Sequence, residues 1–173
     1  MLKLVGALAV ATMTLYGLTH FIGNRYDSNV AARFLERPPT YLQYTRTSLA
    51  RWVSAHPDDA AAYVFPVLFP LDMLFMICLA ASLSIASVAL ITSIPPLLGV
   101  SWVALIAPAL YLGADLAEDT LLAILLGQPH TVSNALVTAA QTLTRVKIWA
   151  VTLAGVQLIA LGVAALLARQ LTR

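Results

Sequence analysis

Apolar residues occur in four long runs that polar stretches separate. The runs cover about residues 4–22, 65–91, 97–126 and 146–168. Crossing the hydrocarbon core of a bilayer takes about 20 mostly apolar residues in a helix, which satisfies its backbone hydrogen bonds internally. The pattern therefore predicts an all-α, polytopic membrane protein, with four transmembrane helices bundled in a single domain over residues 1–173.

The composition of the chain leads to the same class. Of its 173 residues, 60% are hydrophobic and 10% are charged, whereas soluble domains are about 45–50% apolar and about 25% charged. The net charge of +2 gives no electrostatic footprint for a nucleic acid. These numbers exclude a soluble enzyme and a protein that binds nucleic acid.

The three connections between the runs differ in length and charge. The first, residues 23–64, holds half of the charged residues, and the second, Thr92–Pro96, predicts a tight hairpin. The first and third connections carry seven Lys and Arg residues near the helix ends, against three on the opposite side. Because such residues are enriched in cytoplasmic loops, we expect a bacterial cytoplasmic (inner) membrane protein with residues 23–64 inside and both termini outside.

Within the first connection, aromatic residues recur at helical spacing, and basic residues fall on another face of the same predicted helix. Thr40 follows two prolines and is a candidate N-cap, and His56-Pro57 ends the pattern. This amphipathic helix either lies in the lipid headgroup region or packs on the protein's own bundle, and both interpretations stay open. Its predicted interfacial residues are Tyr41, Tyr44, Arg46, Arg51 and Trp52.

Four acidic residues fall inside the predicted spans. Asp72 lies in the second span, and Asp115, Glu118 and Asp119 share one face of the third. Counted from the cytoplasmic ends, Asp72 and Asp119 lie at matching depth, roughly 10 Å inside at about 1.5 Å per residue. Charged groups at such depth are costly, and they are candidates for a functional role.

Basic residues enter the predicted bundle at the same end as these acids. Arg145 and Lys147 begin the fourth span, and His20 ends the first. We expect Arg145 to pair with Glu118 or Asp119, because a buried charge needs a partner. The cluster fixes helix register, conducts a proton or cation, or docks a subunit, a lipid headgroup or a quinone-like ligand. Its members are Asp72, Asp115, Glu118, Asp119, Arg145, Lys147 and His20.

The sequence carries no motif of known catalytic chemistry. It has no His-Glu-x-x-His, no Glu-x-x-His, no Gly-rich nucleotide loop and no Gly-x-Ser-x-Gly. Its three histidines lie at span ends or in loops, which disfavours haem. Asp58 and Asp59 match no metal-ligand spacing with His56, and we expect one of them to cap the second helix. We therefore predict no catalytic residue, metal or cofactor.

Three short motifs suggest a relationship. They are Phe69-Pro70-Leu71-Asp72, YLGADLAED over residues 111–119, and Lys147-Ile148-Trp149. They resemble uncharacterised bacterial four-helix integral membrane proteins that carry an intramembrane Asp-x-x-Glu signature. The resemblance covers the last three predicted helices and implies the fold alone.

The expected function follows from the short chain, the missing catalytic motifs and small-residue faces such as Ala160, Ala164 and Ala168. These features favour a non-enzymatic accessory or scaffolding subunit of a larger membrane complex. Its partners are then membrane lipids and either other integral membrane subunits or a second copy. The alternatives are a small transporter or proton- or cation-coupled protein that uses the acidic cluster, and a protein that binds or modifies lipid.

Overall fold

The computed structural model describes residues 2–26, 44–128 and 132–171, and within these ranges the regular structure is helical. Two further helical segments are irregular or tighter than an α-helix: Tyr63–Asp72, here called the proline segment, and a 3₁₀ segment, Pro95–Leu105. The helices are α1 (Leu2–Tyr26), α2 (Arg46–Ala55), α3 (Pro57–Ala62), α4 (Met73–Ile91), α5 (Ile106–Gly127) and α6 (Asn134–Leu171).

Four stretches of the described chain are long and apolar enough to cross a membrane. They are Lys3–Ile22, Pro57–Ile91, Leu97–Gly127 and Asn134–Ala168. They correspond to the four predicted spans, so the prediction of four long apolar helices is confirmed. The last of them begins 12 residues before the predicted residue 146.

The helices pack around α5 and α6, which share the largest interface. The α4 helix packs on α5, α6 and α1, whereas α1 contacts mainly α4 and the proline segment. Large apolar side chains cover the outside of the bundle, and Trp149 is 75% exposed there. The α1 helix therefore lies on the α4 side of a three-helix core.

The early start of α6 corrects the prediction that residues 127–145 form a polar connection. Ser133 caps the helix, because its Oγ accepts a hydrogen bond from the Leu136 N–H at 3.2 Å. The residues from Asn134 to Arg145 include three Ala and two Leu, which favour helix. At about 1.5 Å per residue, 38 residues span about 57 Å, well beyond a hydrocarbon core of about 30 Å.

The helix before α4 is interrupted at two positions. Phe65 and Phe69 have extended backbone angles (φ −136° and −126°), and each precedes a proline. The proline ring disfavours helical angles at the residue before it, and proline itself lacks an N–H for the helix. The paired Phe-Pro steps thus explain why the chain is irregular up to Asp72 and regular after it.

The N-cap residue of the helical stretch Pro57–Ile91 differs from the prediction. The α3 helix begins at Pro57 with His56 at the N-cap position. Neither Asp58 nor Asp59 is therefore the cap. Both lie in the first turn, where a negative charge stabilises the helix dipole.

The α2 helix begins later than predicted. Its N-cap is Thr45, whose Oγ1 accepts from the Ser48 N–H at 3.2 Å while Ser48 Oγ accepts from the Thr45 N–H at 2.9 Å. This reciprocal pair is a capping box and fixes the start of the helix at Arg46. Thr40 and Tyr41 lie outside the described residues. The helix ends at Ala55 before His56, as predicted.

The apolar face of α2 packs on the protein's own bundle. Trp52 and Tyr44 are buried in one core cluster with Leu122 and Leu125 of α5 and Val137 of α6. Of the two interpretations left open for this helix, the structure shows packing on the bundle, because the extra turns of α6 and the end of α5 provide an apolar surface for both aromatic residues. The arginine side chains of this helix, Arg46 and Arg51, are exposed on the opposite face.

Small residues of α6 other than those of the Ala160, Ala164 and Ala168 face pack inside the bundle. Ala150, Ala154 and Ala165 are buried, whereas Ala160 is exposed. The spacing of the buried alanines follows the helical period, so they face the core. Ala160 begins a stripe on another face of α6.

A side-chain amide joins three elements at the end of the bundle away from α2. Gln157 Nε2 of α6 donates to Ser87 Oγ of α4 at 3.2 Å and to the carbonyl oxygen of Ala104 at 2.9 Å. An amide carries two N–H groups, so both bonds can form together. Ser87 is fully buried, and its hydroxyl therefore depends on partners within the protein.

We expect Gln157→Leu to lower the free energy of unfolding by about 1–2 kcal/mol, because each interhelical hydrogen bond in such a bundle contributes about 0.6–1.7 kcal/mol. The measurement is reversible unfolding in detergent micelles. Gln170→Leu makes the same change at an exposed position of α6 and serves as the control. Equal stability of the two variants contradicts the assigned role of Gln157.

Candidate functional site

An ammonium group on α6 bridges two carboxylates on α5. Lys147 Nζ lies 2.7 Å from Asp115 Oδ1 and 2.6 Å from Glu118 Oε2. The two acids are one turn apart on α5, so both can reach the same lysine. Both carboxylates are almost fully buried, while a quarter of the Lys147 side chain is exposed. Ion pairs in this environment are weakly screened by solvent.

The predicted pairing of Arg145 with Glu118 or Asp119 is wrong. Arg145 is exposed, and no described carboxylate lies within ion-pair distance of it. At about 100° per residue, the step of two residues from Arg145 to Lys147 turns the side chain by about 200°. Since Lys147 faces α5, Arg145 faces away from it.

Polar residues on α6 and before α2 support this ion-pair cluster. Thr144 Oγ1 lies 2.5 Å from Glu118 Oε1 and 3.0 Å from the carbonyl oxygen of Ala140, and its proton can be donated to either. Gln141 Nε2 donates to the carbonyl oxygen of Tyr44 at 2.8 Å. Thr144 and Gln141 were not among the predicted site residues, because they fall in the predicted third connection. Gln141, Thr144 and Lys147 follow one another at intervals of three residues, which is the signal for one helix face.

The tyrosine before α2 lies close to the same cluster. Burial raises the pKa of the Tyr44 phenol well above its usual value, and the charge of Glu118 adds to the increase. The phenol therefore keeps its proton at physiological pH. Its hydroxyl is buried without a hydrogen-bond partner among the described residues.

Three carboxylates from two helical stretches converge beside the ion pair. Asp72, Asp115 and Asp119 each place a carboxylate oxygen within 4.8 Å of the other two. This geometry agrees with the equal depth expected for Asp72 and Asp119. Asp119 is only 1% exposed, and its Oδ2 has no hydrogen-bond partner among the described residues.

These acids line a cavity of about 680 Å³ in the bundle. Lys147, Thr144 and Tyr111 contribute further polar groups to its wall, and α1 contributes His20. The His20 ring stacks on Tyr16, with ring centroids 6.2 Å apart. Of the seven residues predicted as a polar cluster, six therefore line one cavity, and Arg145 is the exception.

The charges around the cavity do not balance. Four carboxylates face it, whereas Lys147 is the ammonium group among the described lining residues. Taking a charge out of water costs several kcal/mol, so the negative charge in excess of Lys147 must be neutralised by protons or a cation. Carboxylate oxygens are the preferred ligands of hard cations, at about 2.3–2.6 Å for Ca²⁺. Oxygens up to 4.8 Å apart can still contact one ion of this size, so Asp72, Asp115 and Asp119 could hold one.

Comparison of the chain with protein-family models, with curated proteins and with solved structures gives no match. The resemblance to four-helix membrane proteins with an Asp-x-x-Glu signature therefore stays a prediction. The function has to be argued from the cavity and its residues.

We expect Lys147→Met to destabilise the protein by about 3 kcal/mol, because removal of one partner leaves the buried Asp115 and Glu118 uncompensated. The value is at the low end of the usual range since part of the lysine is exposed. Thermal or denaturant unfolding in detergent measures the effect. Adding Asp115→Asn and Glu118→Gln to the same protein should restore most of the loss.

Arg145→Met is the matched control for this test. It removes a positive charge from the same helix two residues earlier, on the exposed face. We expect a change within about 0.5 kcal/mol, as is usual for surface substitutions. A loss for Arg145→Met as large as that for Lys147→Met would mean that α6 depends on charge in general and not on the ion pair.

Proposed function

We propose that this protein is a small multi-pass membrane protein that binds a cation in its acidic cavity and couples this binding to the movement of protons or cations across the membrane. The observation that carries the proposal is the convergence of Asp72, Asp115 and Asp119 within 4.8 Å on a cavity wall. An excess of carboxylates in such a place attracts a positive ligand. Binding a cation and binding protons are then alternative ways to neutralise the same groups.

The proposal includes insertion of the four long apolar helices into a bilayer. Large exposed apolar side chains on the outside of the bundle support it, since lipid tails cover such a surface without cost. Arg46 and Arg51 then face the headgroups on the cytoplasmic side, in agreement with the excess of basic residues there. The proposed location is a bacterial inner membrane, with both termini outside.

The irregular proline segment fits a role in binding. Asp72 ends this segment, and Tyr63 and Leu68 within it line the cavity. Irregular backbone inside a membrane is tolerated where it lines a cavity or is buried in protein, and broken helices supply ion sites in many transporters. The cavity thus lies where the backbone departs from regular helix.

The other predicted functions have less support. A role as an accessory subunit of a larger complex stays a prediction, because it requires a partner and the cavity does not. Lipid modification requires a nucleophile or metal next to the substrate. The carboxylates around the cavity are suited instead to binding positive charge.

We expect Asp119→Asn to abolish cation-driven proton movement in proteoliposomes, because the amide keeps the shape of the side chain but removes its charge. An internal pH dye reports flux when Na⁺, K⁺, Mg²⁺ or tetramethylammonium is added outside. At least one of these cations should change the internal pH with the wild-type protein. The variant should lower the rate at least tenfold.

Asp58→Asn is the matched control, since it removes an exposed carboxylate in α3 outside the cavity. Its flux should equal that of the wild type. The proposal fails if wild-type vesicles behave like protein-free vesicles with every cation, or if Asp119→Asn retains the wild-type rate.

A further inference from the structure

We propose that the ligand of the cavity is an organic ammonium ion with an apolar body, held by Asp119 and Asp72 at its charged end and by aromatic and aliphatic side chains along its body. This inference rests on the proposed function, because it specifies the class of cation. Three properties of the cavity lead to it: its size, the nature of its walls and the place where it opens.

The size of the cavity is too large for a bare metal ion. At about 680 Å³, it falls within the range of about 300–1,000 Å³ that is typical of sites for small organic molecules. A water molecule takes about 30 Å³ of liquid volume. A metal ion at the three aspartates would therefore leave most of this space to be filled by something else.

The walls of the cavity change in character along its length. Phe75 and Leu79 follow Asp72 by about one and two turns of α4, and Val151 follows Lys147 by about one turn of α6, so apolar lining succeeds the charged groups along both helices. Tyr16 of α1 is next to Phe75, with ring centroids 5.8 Å apart. Aromatic rings offer a large apolar contact area to an alkyl chain. The lining therefore suits a molecule with a positive head and an apolar body.

The charged end of the site has an available acceptor. Asp119 is almost fully buried and lines the cavity, and its Oδ2 has no hydrogen-bond partner among the described residues. Lys147 is held by Asp115 and Glu118, so these two acids already share a cationic partner. A primary ammonium group offers three N–H donors, and a carboxylate accepts such bonds at about 2.7–2.9 Å.

The cavity opens at the side of the bundle. The α1 helix packs mainly on α4 and the proline segment, yet its residues Tyr16 and His20 line the cavity together with Ile148 of α6. All three side chains are exposed, from which we infer that the cavity opens between α1 and α6. An amphipathic amine partitions into a bilayer, and a lateral opening gives it access from there.

Calorimetry on the purified protein in detergent tests this inference with hexylammonium, methylammonium, Na⁺ and hexanol as probes. Burial of the alkyl chain should make hexylammonium bind at least 30-fold more tightly than methylammonium, since each fully buried methylene contributes about fourfold. Hexanol has the same chain without the charge and should bind at least tenfold more weakly than hexylammonium.

Two variants connect binding to the named residues. Asp119→Asn should weaken hexylammonium binding at least tenfold, and Phe75→Leu should weaken it about threefold to tenfold because apolar contact with the alkyl chain is lost. Asp58→Asn should leave the affinity unchanged. Wild-type unfolding temperatures for the variants show that the fold is intact, and Asp72→Asn replaces Asp119→Asn if that variant fails to fold.

Different outcomes overturn different statements. If Na⁺ or methylammonium binds as tightly as hexylammonium, the inference that the ligand has an apolar body is contradicted, whereas the proposed cation site is retained. Equal binding of hexanol and hexylammonium contradicts recognition of charge. A wild-type protein that binds no cation at all contradicts both this inference and the proposed function.

Discussion

The ammonium group of Lys147 is the positive charge on which the polar interior of this bundle depends. It lies within 2.7 Å of carboxylates of Asp115 and Glu118, and it connects α6 to α5 across the largest interface of the structure. Charges at such a place are stable only with close partners, because the surroundings screen them weakly. The register between α5 and α6 is therefore set by the requirement that Lys147 reach both acids.

This pairing also explains why a binding site lies beside it. Lys147 contacts two carboxylates, and Asp119 lies next to them almost fully buried, with its Oδ2 lacking a hydrogen-bond partner among the described residues. If the acids served only to fix helix register, Asp115 and Glu118 would be enough. A further buried carboxylate costs stability unless a ligand or a proton neutralises it, which is the physical reason to assign it a function.

Part of this arrangement could be predicted from the sequence and part could not. The four helices could be predicted from long apolar runs, because these depend on local composition alone. The proximity of Asp72 and Asp119 could be predicted by counting residues from the helix ends, because the rise per residue is fixed. The start of α6 was missed since residues 134–145 are helix-forming but less apolar. Because of that error, Arg145 was placed at a helix end, where the direction of its side chain could not be predicted. In the structure Lys147, and not Arg145, faces α5.

The aromatic residues near α2 show a second limit of sequence reasoning. Tyr44 and Trp52 fit a membrane interface by residue type, but they are buried against α5 and α6. An amphipathic pattern shows which face is apolar and not what covers it. The covering surface here is formed by residues about 70–90 positions later in the chain. The cavity has the same property, since it exists only once four helical stretches have packed.

The most direct test of the account is a crystal structure of the protein grown from a lipid phase with hexylammonium. The account predicts density for the ligand in the cavity, with its nitrogen within about 3 Å of the Asp119 carboxylate and its chain along Phe75. A cavity filled by protein side chains, or an Asp119 carboxylate bonded only to groups of the protein itself, would contradict it.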